Sequence, residues 1–343
     1  MRTNGFENEN NKKEQSYTST GEKLLYHKDA IDDLRNKRNH PIVLHIMPTE
    51  ICNLKCVFCS VAQRGNEGKI FQDLTLEQIK TVVDKFKRMG LKAVILSGGG
   101  DPTLYKYINE LLEYLKSEGL EIGMITNGIA LERNVRNINH LSWIRISANA
   151  FDYVDDIKIP RLDSKTTLGF SYIWNPLTSG KIIEKIRNKV REQSDFNPVE
   201  YVRMLPDCNL ETSALEQAHK ELRRITMELG APFFHQYKIH KTPKECHLGR
   251  VHPVFYTDGY IYPCDSLVLN SSEGDKKFHR DFALCRWDGI EVFFSNRIND
   301  SLVDTRKCPH CVFNRQNELL MTVINTNEEL PVTPKNLQHI NFI

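Results

Sequence analysis

The sequence predicts an α/β fold in which a parallel sheet is followed by a smaller region of different character. Between residues 41 and 229, short apolar β-branched segments alternate six times with amphipathic helical segments. The connections are long enough for helical crossovers, which favours right-handed winding of parallel strands. After residue 230 the helical periodicity fades and cysteines, histidines and aromatic residues become frequent. Six strand–helix units make three quarters of a TIM barrel, or an open doubly wound sheet.

Local signals place each element in turn. Residues 1–20, rich in Asn, Glu, Lys, Ser and Thr, predict a disordered arm, and a helix over 22–37 ends before Pro41. Thr75 is a helix N-cap, and Gly90 ends that helix. The predicted strands are 41–47, 93–96, 120–126, 143–147, 168–174 and 199–204. The predicted helices are 75–89, 104–117, 131–140, a short piece that ends near Pro160, 180–193 and 213–229.

Composition excludes several classes of protein. The net charge is +2, from 46 basic and 44 acidic residues, which gives no electrostatic footprint for nucleic acid or for an anionic membrane. No apolar segment approaches the ~20 residues of a membrane helix, and the polar N-terminus has no signal core. We therefore expect a cytoplasmic protein, in which nine cysteines more often bind metals than form disulfides.

Cys52, Cys56 and Cys59 lie on the loop that leaves the first predicted strand. Closely spaced thiolates select zinc, copper(I) or iron–sulfur. A cubane has four irons, so three thiolates would leave one iron open to another ligand. Zinc would need a fourth protein ligand, from His45 or a distant cysteine. The spacing alone leaves both metals possible.

Polar segments follow five of the predicted strands. Because the carboxyl ends of parallel strands meet at one face, these segments predict a common site. The segments are Cys52–Cys59, Gly98–Asp101, Thr126–Asn127, Ser147–Asn149 and Asp207–Cys208.

A second set of cysteines follows residue 230. Cys246 and Cys264 flank a predicted β-hairpin with an Asp-Gly turn, which would bring the two thiols together. Cys308 and Cys311 form another pair on a tight loop. Two pairs make a four-thiolate site, suited to zinc or to a fully ligated iron–sulfur cluster.

The first cysteine motif, with Phe58 at its aromatic position, resembles that of the radical S-adenosylmethionine (radical SAM) enzymes. The resemblance implies a catalytic 4Fe–4S cluster on Cys52, Cys56 and Cys59, whose open iron is chelated by S-adenosyl-L-methionine. It implies reductive cleavage to a 5′-deoxyadenosyl radical that abstracts hydrogen from a substrate, and a reductant such as flavodoxin or ferredoxin. The protein would bind, orient and exclude water.

Two further segments resemble cofactor-binding motifs of that family. Ser97-Gly-Gly-Gly-Asp-Pro, which alone indicates only a turn and matches neither a dinucleotide fingerprint nor a P-loop, resembles Gly-Gly-Glu-Pro, with Asp101 one methylene shorter than Glu. Thr126-Asn127-Gly128, also a common turn by itself, resembles the family's Thr-Asn-Gly after the third strand. The resemblance implies that nine residues bind the cofactor: Phe58, Gly98, Gly99, Gly100, Asp101, Thr126, Asn127, Ser147 and Asn149.

Four residues have open roles at this point. Lys158 or Arg161 would meet the carboxylate of S-adenosylmethionine, although a basic residue is more often simply solvated. Cys208, past the sixth strand, is a buried small side chain or a hydrogen donor at the barrel mouth. Cys285 is a buried free thiol, an alternative ligand or a catalytic residue.

The spacing of Cys246, Gly259 and Cys264 resembles the opening of the twitch form of the SPASM auxiliary domain. That resemblance implies a second, auxiliary 4Fe–4S cluster on Cys246, Cys264, Cys308 and Cys311. The full arrangement is then a partial (β/α)6 TIM barrel followed by a twitch-type domain. Its predicted parts are an arm (1–40), the barrel (41–230), the auxiliary domain (231–315) and a polar tail on the surface (316–343).

The sequence thus predicts a radical SAM enzyme that oxidises or epimerises a small polar substrate, such as a sugar, aminocyclitol or nucleoside. Two alternatives stay open. One is modification of a ribosomally made peptide, for which the polar arm is too short to supply a winged-helix leader-binding domain. The other is a zinc-stabilised binding module without catalysis, which would leave the convergent strand ends unexplained.

Overall fold

The structure is a computed structural model. It describes residues 10, 12–14, 16–18, 21–59, 61, 73–207, 210–269, 279–296, 300–308, 311–327, 329–334 and 337–343. None of the helices within these ranges combines the length and apolar composition that a bilayer crossing requires.

A single sheet of ten strands organises the described chain, in the spatial order β10-β9-β8-β1-β2-β3-β4-β5-β6-β7. Strands β1 to β8 pair in parallel, and β9 and β10 add antiparallel strands at one edge. The strands are β1 (Val43–Ile46), β2 (Ala93–Leu96), β3 (Glu121–Thr126), β4 (Trp143–Ser147), β5 (Thr167–Trp174), β6 (Val199–Pro206), β7 (Phe233–His235), β8 (Val254–Phe255), β9 (Tyr260–Tyr262) and β10 (Cys285–Arg286).

The six predicted strands are confirmed as β1 to β6, and with them the α/β class and the partial (β/α)6 barrel. The sequence missed β7, a strand of three residues that is too short to show a periodicity. It also missed the parallel pairing of β8 with β1. The sheet therefore continues past residue 230, where the sequence predicts the next domain to begin, and that domain boundary stays a prediction.

Most of the described helices cover the outer face of the sheet, whereas the first and the last α-helices pack on its inner face. Thr75 caps its helix as predicted: Gln78 N donates to Thr75 Oγ1 (3.1 Å) and Thr75 N donates to Gln78 Oε1 (2.9 Å). The described α-helices are α1 (Lys28–Arg35), α2 (Leu76–Lys87), α3 (Ile108–Ser117), α4 (Leu131–Asn134), α5 (Gly180–Gln193), α6 (Thr212–Leu229), α7 (Asp265–Leu269), α8 (Ile290–Ser295) and α9 (Asn314–Asn325).

Alternate residues of each strand face two separate apolar clusters. Leu44 and Ile46 of β1 belong to the main core beneath the outer helices. Val43 and Trp143 face the other way, into a second cluster that includes Phe342 near the chain end. Because parallel strands are covered on both faces, they read as continuous apolar runs in the sequence.

The segments near both chain ends cover the inner face of the sheet. The Tyr17 ring stacks on Tyr201 of β6, with centroids 4.4 Å apart, and Phe342 packs edge-on against Trp143 of β4 at 5.3 Å. The disorder expected for residues 1–20 therefore does not extend to the described ones, and the tail expected on the surface is partly buried. An incomplete barrel leaves apolar surface exposed on its inner face. Burying that surface against the two terminal segments removes it from water and so stabilises their packing.

Gly169 of β5 makes room for the Tyr201 ring, which a Cβ at that position would overlap. We expect Gly169→Ala to lower the free energy of unfolding by about 1–3 kcal/mol, because overpacking forces neighbouring side chains to move. Gly180→Ala at the start of α5 is the matched control: a Cβ there meets nothing within 4 Å, and the change should be neutral or stabilising by up to ~1 kcal/mol. Denaturant unfolding of both variants measures the difference, and equal midpoints would contradict the packing argument.

Candidate functional site

The loop after β1 carries the first three cysteines and lies against the glycine segment that follows β2. Gly100 N donates to Thr49 O (3.0 Å), and Asp101 N donates to Ile51 O (2.9 Å). A Cβ on Gly100 would overlap the Ile51 carbonyl. The glycines therefore allow two backbones to approach closely, which fixes where the cysteine loop begins.

The thiols of Cys52, Cys56 and Cys59 influence one another electrostatically. Burial raises the pKa of Cys56 to about 12, and the thiols of Cys59 and Cys52 add to the effect. Burial also raises the pKa of Cys52, with Asp101 and Cys59 contributing. Partly buried thiols that must ionise together need a positively charged partner, and bound metal supplies it.

This donor set fits an iron–sulfur cluster better than a single ion. The loop supplies three thiolates, those of Cys52, Cys56 and Cys59, within eight residues. Zinc requires all of its ligands within bonding distance of one ion, whereas a cubane distributes its thiolates over separate irons. The three cysteines on one loop therefore suit a cluster.

Asp101 joins the ends of β2 and β3. Its carboxylate accepts from Thr103 N (2.9 Å), from Asn127 N (2.7 Å) and from the Thr126 hydroxyl, whose oxygen lies 2.8 and 2.9 Å from the two carboxylate oxygens. The side chain is only 3% exposed. Asp101 thus positions the residues beside the cysteine loop, and its predicted contact with S-adenosylmethionine stays a prediction.

Asn127 extends this connection to the cysteine loop. Its Nδ2 donates to Asn53 Oδ1 (2.7 Å) and lies 3.8 Å from Cys52 Sγ, while its Oδ1 accepts from Ile129 N (3.0 Å). A continuous polar chain therefore runs from Asp101 through Asn127 to Cys52.

Ser147 and Asn149, the two predicted residues after β4, differ in whether their side chains are free to bind a ligand. Asn149 is fully buried; its Oδ1 accepts from Ile173 N (2.7 Å), and its Nδ2 donates to Ile173 O (2.8 Å) and Asp152 (3.0 Å). It therefore links the end of β4 to β5. The Ser147 hydroxyl has no hydrogen-bond partner in the described part of the chain, which leaves it open to a ligand.

Sequence reasoning missed several residues that hold the loop. The Tyr153 hydroxyl accepts from Val57 N (3.0 Å), and the Tyr256 hydroxyl donates to the buried Glu50 carboxylate. Both tyrosines come from distant segments, so no local pattern reveals their contacts. Phe58, at the aromatic position of the motif, is half-buried within the same loop.

Comparison with known proteins identifies one domain. Residues 46–164 match the model of the Radical SAM superfamily. This segment is a Radical SAM domain. Members use a 4Fe–4S cluster and S-adenosylmethionine, which confirms the predicted catalytic cofactors as a class.

Several known proteins are similar to parts of this chain. A molybdenum cofactor biosynthesis protein, moc-5, of Caenorhabditis elegans is 28% identical over 50% of this chain and 29% of its own length. A probable GTP 3′,8-cyclase of Methanococcus maripaludis is 24% identical over 77% of each chain. The crystal structure of Streptococcus suis SuiB bound to S-adenosylmethionine aligns with a TM-score of 0.49 at 14% identity, over 78% of this chain and 72% of that one. The chain thus spans less than a third of moc-5.

The radical SAM domain is followed by four cysteines that the fold brings together. Cys246 N donates to Ser301 Oγ (2.9 Å), and Lys241 N donates to Cys311 O (3.1 Å), so the segments before Cys246 and around Cys311 run side by side. The predicted hairpin is confirmed as β8 and β9, with its turn glycine at φ +81°.

Electrostatic effects among these four thiols support their proximity. Burial raises the pKa of Cys246 to about 12, with added effects from Cys308 and Cys311. Burial raises the pKa of Cys264 far above its usual range, with Cys246 and Cys311 contributing. The SPASM or twitch identity of this region stays a prediction.

The remaining predicted residues lie away from these two sites or outside the residues that the structure describes. Cys285, on β10 opposite Ile261, has Lys85 and Asp288 as its charged neighbours, and none of the other cysteines affects it. Lys158 and Arg161 are exposed. Cys208 lies outside the described residues, so its role as a hydrogen donor stays a prediction.

A cavity of about 180 Å³ lies on the inner face of the sheet. Its walls include His45 of β1, Arg145 of β4 and Arg203 of β6, and it extends to Cys264. His45 is hydrogen-bonded to Ser97, which directly precedes the glycine segment, and burial lowers its pKa to about 4. The cavity therefore lies between the strand ends and the four-cysteine region.

Asp101→Asn tests the polar chain of this radical SAM domain. The amide replaces an accepting oxygen with a donor that faces the Asn127 N–H, so we expect the cysteine loop to lose its fixed position. Loss of a charged buried acceptor costs about 1.5–3 kcal/mol, and we expect cleavage of S-adenosylmethionine to fall by about 10- to 100-fold. Asp84→Asn on the exposed face of α2 is the control. Normal cleavage with Asp101→Asn would show that Asp101 does not position the loop.

Proposed function

We propose that this chain is a radical SAM enzyme whose Cys52, Cys56 and Cys59 hold the catalytic 4Fe–4S cluster. When bound, the cluster and S-adenosylmethionine supply one-electron chemistry that removes a hydrogen atom from a substrate. A reductant such as flavodoxin or ferredoxin would provide the electron. The observation that carries this proposal is the polar chain from Asp101 through Asn127 to Cys52, at the carboxyl ends of three adjacent strands.

The chain's own residues bind, orient and exclude water. Asp101 holds the Asn127 backbone, Asn127 holds Asn53, and the Tyr153 hydroxyl holds Val57 N, so the loop is fixed on both sides. The Ser147 hydroxyl is free to accept or donate at the end of β4. Segments near the two chain ends cover the inner face of the sheet and exclude solvent from it.

The cavity supports a small polar substrate, such as a sugar, aminocyclitol or nucleoside. Its volume of about 180 Å³ is small compared with the roughly 300–1,000 Å³ of typical ligand sites. Basic, imidazole and amide side chains line it together with apolar ones, whereas a peptide substrate would need an extended groove. We further propose oxidation or epimerisation as the outcome, with peptide modification as the alternative.

The four-cysteine site is proposed to hold an auxiliary 4Fe–4S cluster. Cys246, Cys264, Cys308 and Cys311 supply four thiolates, so no iron would need a ligand from the substrate. Cys264 belongs both to this set and to the cavity wall, which would place the auxiliary group beside the substrate.

A second candidate is radical cyclisation of a nucleotide. It rests on the name of the relative that aligns with 77% of this chain, a probable GTP 3′,8-cyclase. The positively charged side chains in the cavity are compatible with phosphate groups.

The test is anaerobic incubation of the reconstituted enzyme with dithionite and S-adenosylmethionine. We expect 5′-deoxyadenosine, and faster formation when a true substrate is added. Sugars, aminocyclitols, nucleosides and GTP are compared, and the product's mass separates oxidation (loss of two hydrogens) from epimerisation or cyclisation (no change). Stoichiometric zinc, with no iron and no 5′-deoxyadenosine, would refute the proposal and favour a zinc-stabilised binding module.

A further inference from the structure

Two buried cations lie next to each other at the inner end of the cavity. Lys23 is 4% exposed and Arg145 is 9% exposed. Lys23 Nζ donates to the carbonyl oxygens of Ser16 (2.8 Å) and His339 (3.1 Å). Arg145 Nε donates to the Tyr201 hydroxyl (3.0 Å) and its Nη2 to Tyr17 O (2.7 Å). All of these acceptors are neutral.

Neither cation has a carboxylate partner in the described part of the chain. Arg145 lies between the Trp143 and Tyr201 rings, with its guanidinium carbon 5.3 and 5.6 Å from their centroids. These two hydrogen bonds use two of the five guanidinium N–H groups. Like charges this close oppose each other, and burial together with Arg145 lowers the pKa of Lys23 to about 8. Buried charges are normally paired.

The nearby acids do not neutralise this pair. Glu121 favours the charged form of Lys23 but makes no ion pair with it, and its own carboxylate accepts from Asn341 Nδ2 (2.7 Å). Asp265 also lines the cavity, but its charge acts on His252 and Lys238. The inner end of the cavity is therefore electropositive and short of an anion.

Gln236 provides an independent observation in the same cavity. Its side chain is 4% exposed, and its Oε1 has no hydrogen-bond partner in the described chain. An unpaired buried carboxamide oxygen is unfavourable, and a ligand that donates a hydrogen bond to it removes that cost. This side chain therefore indicates that the cavity is built to be filled by a polar molecule.

The position of the pair suits a substrate that reaches the proposed cofactor. Arg145 precedes Ser147 by two residues, about 7 Å along the strand. A molecule held at Arg145 would thus extend toward the strand ends where the cysteine loop lies. The cavity would admit about six water molecules at ~30 Å³ each, which is room for one oxyanion and a small polar body.

We propose that Lys23 and Arg145 bind an anionic group of the substrate, a phosphate or a carboxylate, and that Gln236 hydrogen-bonds its polar body. The identification of the bound anion as part of a substrate rests on the proposed function. Anion binding by Lys23 and Arg145 does not depend on catalysis. The anion would provide the missing counter-charge, and the remaining guanidinium N–H groups would donate to it.

The test is titration calorimetry of the reconstituted full chain with inorganic phosphate and, separately, with acetate, at constant chloride concentration. Arg145→Gln and Lys23→Gln each remove one positive charge and keep a hydrogen-bond donor. Each should weaken phosphate binding by at least about tenfold, as expected for loss of a buried charge-assisted hydrogen bond. Arg224→Gln is the matched control: Arg224 is an exposed arginine of α6 paired with Glu221 and Glu228, and its loss should leave the affinity unchanged.

The possible results separate the proposal from its alternatives. Binding of phosphate but not acetate assigns a phosphate group; binding of both assigns an oxyanion in general. Arg145→Lys keeps the positive charge and should therefore retain phosphate binding. It replaces Arg145→Gln in the comparison if that variant does not fold. Binding of neither anion by the wild type, or equal binding by the wild type and both glutamine variants, overturns the proposal. Iron content and 5′-deoxyadenosine formation in the same preparations show whether the proposed function fails separately.

Discussion

Replacing Cys52, Cys56 and Cys59 together by alanine is expected to abolish reductive cleavage of S-adenosylmethionine. The three thiols lie on one loop, and Cys59 contributes to the raised pKa of both Cys52 and Cys56, so they are close enough to share a cluster. Without them the catalytic irons lose all of their protein ligands. Formation of 5′-deoxyadenosine under anaerobic reducing conditions, followed by chromatography, measures the loss, which should reach the background of the protein-free reaction.

Cys285→Ala is the matched control for this experiment. Cys285 is a half-buried thiol of β10 whose charged neighbours are Lys85 and Asp288 rather than other cysteines. We expect its replacement to leave both iron content and cleavage near the wild-type values. Cleavage by the triple variant at the wild-type rate would refute the assignment of the catalytic cluster.

Replacing Cys308 and Cys311 together by alanine is expected to remove about half of the bound iron. If both cysteine sets build cubanes, the reconstituted wild type should carry about eight irons and this variant about four. Among the described residues, the side-chain hydrogen bonds of the catalytic loop run to Asn127 and Tyr153 rather than to the auxiliary cysteines, so the first cluster should persist. Slow cleavage of S-adenosylmethionine without substrate should therefore continue, while product formation stops.

Analysis of the iron and zinc content, together with electron paramagnetic resonance of the reduced protein, measures how many clusters each preparation holds. Two overlapping cluster signals are expected in the wild type and one in the variant. One zinc ion per chain bound at the auxiliary site, lost in the variant without loss of iron, would instead show that the four-thiolate site is structural.

How far the sequence predicts this protein depends on whether a feature is local. The six strands β1 to β6 follow from apolar runs of a few residues, and the Thr75 cap and the β8–β9 hairpin follow from signals within four residues or fewer. The cysteine motif likewise lies on one loop: its spacing indicates a metal site, and its resemblance to the radical SAM motif implies the iron–sulfur cluster. These features need no knowledge of what packs against them.

The tertiary structure decided what each polar residue does. Asp101 and Asn149 occupy strand ends as predicted, but long-range hydrogen bonds make the first a link between β2 and β3 and the second a link between β4 and β5. The contacts of Glu50 with Tyr256 and of Lys23 with His339 join residues more than 200 positions apart. Such pairings leave no periodic trace, because they depend on how the incomplete barrel is closed rather than on local propensity.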